Sequence, residues 1–132
     1  MREIEFRFYD KDEQKMHYVK SLWFPLGSPN YKDISIHNPD EDCYEWRGID
    51  DGYLMQYTGL KDKNGTKIFE GDIVRYDNGF GIITWSDPDS SYMCVDEGGE
   101  YWAWISELYM PSVEVIGNKF DNPELLEVQH NE

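Results

Sequence analysis

The amino-acid sequence predicts a mostly β fold: a small barrel-like domain with additional β-hairpins and little helix. Three observations lead there. Short runs alternate apolar with polar residues, Asn-Gly pairs stand between such runs, and helical periodicity is almost absent. The 132 residues suit one domain spanning 1–132. Hydrophobic residues at 39% and aromatics at 16% supply a core even though mean hydropathy is -0.75.

Ile4-Glu5-Phe6-Arg7-Phe8 alternates with period two and reads as a half-buried strand. Polar residues 10–15 form a turn, and Met16-His17-Tyr18-Val19 resumes the pattern, so a β-hairpin opens the chain. Residues 21–53 hold Pro25, Pro29, Pro39, Gly27, Gly48 and the acidic run Asp40-Glu41-Asp42, which marks a variable, loop-rich segment around short strands. Ile34-Ser35-Ile36 and Cys43-Tyr44-Glu45-Trp46 are the candidate strands within it. From Leu54 a strand runs to Leu60, and the turn Asn64-Gly65 leads to Ile68-Phe69. Glu70-Gly71-Asp72 then enters the strand Ile73–Tyr76, which a second turn at Asn78-Gly79 joins to Gly81–Trp85. Tyr92–Val95, Tyr101–Ile105 and Val113–Ile116 complete the strands, and no helix is expected between Ile68 and Trp85. One helical turn is expected at 105–109, and a helix start at Asn122-Pro123-Glu124.

The Glu70-Gly71-Asp72 entry resembles that of SH3-like barrels. There the glycine supplies a turn with positive φ, and the aspartate carboxylate accepts neighbouring backbone N–H groups. Gly71, Asp72, Asn64, Gly65, Asn78 and Gly79 are therefore expected to be structural turn residues. Asp62-Lys63-Asn64-Gly65 has a calcium loop's alternating oxygens, but Lys67 and Ile73 stand where such a loop needs glycine and glutamate.

Twelve basic and 27 acidic residues give a net charge of -15. Residues 76–132 carry 12 acidic side chains against the single base Lys119. Such a field repels phosphate backbones and makes direct nucleic-acid binding an unfavourable reading. No apolar run approaches the roughly 20 residues of a membrane helix. The opening residues lack the apolar stretch of a secretory signal, so the expected location is the cytoplasm. Cys43 and Cys94 are expected to be reduced; with His17 and His37 they share no ligand-pair spacing, and no metal or cofactor is expected.

The run LMQYTGLKDKNGTKIFEGDIV, residues 54–74, closely resembles the YopX protein family of bacteriophages and prophages. Arg2-Glu3-Ile4-Glu5-Phe6-Arg7, Lys15-Met16, Val115-Ile116-Gly117-Asn118 and Asn122-Pro123-Glu124-Leu125-Leu126 resemble its terminal signatures. The resemblance implies a compact, largely β, phage- or prophage-encoded protein of unassigned activity. It supplies no catalytic residues.

The expected function is a non-enzymatic protein-interaction module in a bacterial host cell that also self-associates. If Tyr101–Trp104 is a strand, its aromatics alternate between faces, which makes Tyr101, Trp102 and Trp104 the candidate interaction surface. The carboxylates of the C-terminal part are expected to be scattered. Two other readings stand beside this one. The first is an acidic decoy resembling nucleic acid that occupies a host DNA-binding protein; the second is a small hydrolase using a carboxylate pair.

Overall fold

The computed structural model describes residues 3–24, 26, 33–38, 43–76, 79–96, 98 and 100–126. The strands are β1 (Phe6–Asp10), β2 (Lys15–Trp23), β3 (Asp33–Asn38), β4 (Cys43–Gly48), β5 (Gly52–Lys61), β6 (Lys67–Phe69), β7 (Asp72–Tyr76), β8 (Gly79–Ser86), β9 (Ser91–Val95), β10 (Tyr101–Trp104) and β11 (Val113–Asn118). They form two antiparallel sheets, ordered β4-β3-β2-β1-β5-β6 and β10-β9-β8-β7-β11. By contacts the chain divides into two compact units, Ile4–Gln56 and one built from Tyr57 onward with the first three residues.

In the first unit the opening hairpin is as expected, with Phe8 opposite His17 and Asp10 opposite Lys15. The turn closes on the Asp10 carboxylate, which accepts the N–H groups of Asp12 at 2.9 Å and Glu13 at 2.8 Å. Period-two alternation sends Phe8, Ile34 and Ile36 to one face, where they are fully buried with Val19, Leu22 and Leu54 packed around them. Each such side chain contributes about 2 kcal/mol of burial free energy. Ser35, between the two isoleucines, faces the other way and pairs its hydroxyl with that of Ser21 at 2.7 Å.

The second unit packs Ile68, Val74, Ile83, Cys94, Ile105, Leu108 and Val113 into one core. Lys61 pairs with Lys67 across the expected turn, where Gly65 takes φ +81°. Gly71 takes φ +90°, and the buried Asp72 carboxylate accepts the Phe69 N–H at 2.7 Å, the role its local sequence predicts. The second Asn-Gly is placed one residue differently. Tyr76 pairs with Gly79, so Gly79 is the first residue of β8 rather than part of the connection; Asn78 lies outside the described residues. No helix occurs among the described residues between Ile68 and Trp85.

The expected barrel-like domain is not a closed barrel among the described residues, because the second sheet starts with β10 and ends with β11 and these two do not pair. Between them the chain leaves extended geometry for two 3₁₀ turns, Ile105–Glu107 and Met110–Ser112. Ile105 and Leu108 there are buried in the core, so packing takes the place of a closing ladder. The first of these turns is the single helical turn expected at 105–109, in 3₁₀ form, and the second, at Met110–Ser112, was not expected. A helix does open at residues 124–126, directly after Asn122-Pro123. The Gly117-Asn118 pair also acquires a physical reason. Asn118 Oδ1 accepts the N–H of Phe120 and Asp121, and a Cβ at Gly117 would stand 2.5 Å from Asn122 Oδ1. No helix of the described residues is long and apolar enough to cross a membrane.

Candidate binding face

The strands of the first unit carry a face opposite to the Phe8–Ile34–Ile36 core, and register decides what stands on it. Trp23 on β2 lies opposite Asp33 on β3, and Ser21 lies opposite Ser35. On the other side of β3, Ser35 lies opposite Trp46 and Asp33 opposite Gly48. Cross-strand partners share a face, so Trp23, Asp33 and Trp46 project together from three neighbouring strands. Gly48 presents no side chain of its own beside Asp33; the Asp51 carboxylate accepts the Gly48 N–H at 2.7 Å and stands 3.3 Å from where a Cβ would be. The three residues line a shallow cleft of about 280 Å³. Trp23 is 50% and Trp46 59% exposed, and the Asp33 carboxylate has no hydrogen bond or ion pair among the described residues. Tyr18, opposite Arg7, and Tyr53, opposite Tyr9, extend the exposed aromatic character over β2 and β5.

Arg47, next in the chain after Trp46, points to the other face and anchors β4. Its Nε donates to Asp10 at 2.8 Å and its second amino group to Glu13 at 3.1 Å, with Glu45 at 3.6 Å. Glu13 also meets His17 Nε2 at 3.0 Å. Burial alone would raise the Asp10 carboxyl, but the Glu13 N–H, Arg47 and the Asp12 N–H outweigh it and hold the group below its ordinary range. The hydrogen bond to Asp10 raises Arg47 in turn. Because neighbours on a strand alternate, this anchor holds Trp46 outward.

We therefore expect Arg47→Met to cost about 2 kcal/mol at pH 7, since it leaves a poorly solvated carboxylate with only backbone donors. The sign of the pH effect follows from the lowered Asp10 pKa. The pair's contribution is present above the unfolded value of about 4 and is lost as pH falls through the lower folded value. Urea unfolding of wild type and variant should thus differ less at pH 3 than at pH 7.

The sequence-based candidates stand elsewhere. Trp104 is half-buried on β10 and its backbone N–H donates to Glu107 Oε1 at 3.0 Å. The side chains of Tyr101 and Trp102 lie outside the described ones. Trp23, Asp33 and Trp46 went unnamed as a site because their proximity depends on pairing three strands separated by loops. The local signal was Ile34-Ser35-Ile36, whose alternation implies a second face. Cys94 is buried, and burial pushes its thiol up to about 12, so it stays protonated and a weak nucleophile at neutral pH. Among the described residues no three His, Cys, Asp or Glu side chains are placed to hold a metal ion.

Fold and face together define an antiparallel β protein of two compact units, one of which presents aromatic rings and a carboxylate on a sheet surface. The chain belongs to the YopX protein family, whose model matches residues 5–127. Among solved structures it is similar to the crystal structure of protein EF1440 from Enterococcus faecalis. That similarity has a TM-score of 0.63 at 27% identity and covers 96% of this chain and 99% of that one. No curated protein matches it.

Proposed function

We propose that the protein is a non-enzymatic interaction module, a phage- or prophage-encoded accessory protein acting in the bacterial cytoplasm, with the Trp23–Asp33–Trp46 face as its recognition surface. The observation that carries this reading is the pair of half-exposed tryptophans on one sheet face. Large aromatics left in water and rimmed by polar groups are characteristic of surfaces that a partner covers. The buried carboxylates speak in the same direction. Asp10, Asp62 and Asp72 all accept backbone N–H groups, as carboxylates that hold turns do, and that leaves them poorly suited to acid–base chemistry. The SH3-like character of the second unit is part of the proposal. It is supported by four strands in sequential meander, β7 to β10, followed by a fifth, β11, that returns to the first.

The test is capture of partners from lysate of a phage-bearing bacterium, with wild type and the Trp23→Ser/Trp46→Ser variant compared in low and high salt. A partner held by wild type in both salts and lost by the variant supports the module. A partner indifferent to the variant and released steeply by salt favours the acidic decoy instead.

A further inference from the structure

The Trp23–Asp33–Trp46 cleft combines two kinds of group whose shared complement is a cation. We propose that it receives the guanidinium of an arginine on a basic peptide segment of a protein partner. This rests on the interaction-module reading and adds the chemistry of what is bound.

Both indole rings offer the negative face of a π-system, and neither has a ring contact or cation among the described residues. Asp33 lies between them on the central strand and has no partner among the described residues. A planar guanidinium stacks against an indole while its N–H groups meet a carboxylate, and a single side chain can do both at once. An ammonium satisfies the carboxylate but stacks less well. Gly48 opposite Asp33 adds no side chain of its own there. The net charge of -15 draws a basic segment toward the protein, although it does not choose the site. The other exposed tryptophan of the described residues, Trp85, is 42% exposed but packs edge-on against Tyr92 at 4.9 Å and serves as an internal reference.

The experiment titrates the full chain with the peptide acetyl-Gly-Gly-Arg-Gly-Gly-amide and follows the indole N–H resonances, assigned by single Trp→Phe variants. A second peptide carries citrulline in place of arginine, with nearly the same shape and no charge. The expected result is a saturable shift of the Trp23 and Trp46 resonances with arginine, no comparable shift at Trp85, and affinity for citrulline at least about tenfold lower. Asp33→Asn, with its fold checked by circular dichroism, should weaken arginine binding by a similar factor. The proposal is overturned by equal shifts with both peptides, by shifts spread over all tryptophans, or by no shift. Partner capture that depends on Trp23 and Trp46 without any preference for arginine over citrulline removes the cation while the module stands. An arginine site at the cleft together with capture indifferent to both tryptophans removes the module.

Discussion

Gly52→Ala is expected to destabilise the first unit by about 3 kcal/mol or more, read as a lower midpoint in urea and loss of soluble expression. Gly52 has φ 179°, extended backbone that any residue adopts, so the requirement is space. It lies opposite Asp10, where β5 meets β1. A Cβ there would stand far inside van der Waals contact with the Tyr9 carbonyl oxygen and 2.6 Å from Cζ of Phe8. The Phe8 ring is fully buried and the carbonyl belongs to the backbone of the neighbouring strand, so neither yields without parting β1 from β5. Alanine at Gly59 is the contrasting substitution. Nothing lies within 4 Å of its Cβ position, and only the strain of φ +90° opposes it. Its cost should be about 1 kcal/mol.

Asp62→Ala is the second change of large effect, expected to cost about 4 kcal/mol. Asp62 is 7% exposed, and its carboxylate accepts three backbone N–H groups: Asn64 at 2.8 Å, Thr66 at 2.9 Å and Val115 at 2.9 Å. The first two shape the turn between β5 and β6, and the third attaches that turn to β11. Alanine leaves all three donors short of an acceptor. Asparagine keeps one acceptor oxygen for the turn but sets an amide N–H₂ against the Val115 N–H, so it should lose about half as much. Burial pushes the Asp62 carboxyl up, yet the N–H groups of Val115, Thr66 and Asn64, with Lys63 nearby, bring it below its ordinary range. Its contribution is therefore full above the unfolded value of about 4 and disappears as pH falls through the folded one. Thermal melts between pH 6 and pH 2 should show the variant losing less stability on acidification than wild type.

What could be read from the sequence was what short-range chemistry determines. The opening hairpin follows from alternation, and Gly71 with Asp72 follows from a turn that needs positive φ and an acceptor three residues from the Phe69 N–H. The Asn78-Gly79 turn was located to within one residue, because Asn-Gly marks a reversal while cross-strand pairing decides which residues the ladder takes. Sheet closure was not legible, since it depends on whether the ends of a sheet meet. The candidate face was least legible of all. Trp23, Asp33 and Trp46 lie on different strands, and only the pairings Trp23–Asp33 and Ser35–Trp46 bring them to one side.

The return of β11 to β7 has a consequence for how the chain is made. Val113 pairs with Tyr76 and Asn118 with Asp72, and Tyr76 and Val113 lie 37 positions apart, so a ribosome must deliver that further stretch before β7 gains its second neighbour. Until then the edge of β7 stands open, and its Val74, fully buried in the finished protein, remains without the cover that Val113 supplies. An open apolar edge is a template for pairing with another chain. Nascent or prematurely ended chains that stop before Val113 are therefore expected to be the form most prone to aggregate, because the edge that β11 covers is open in them.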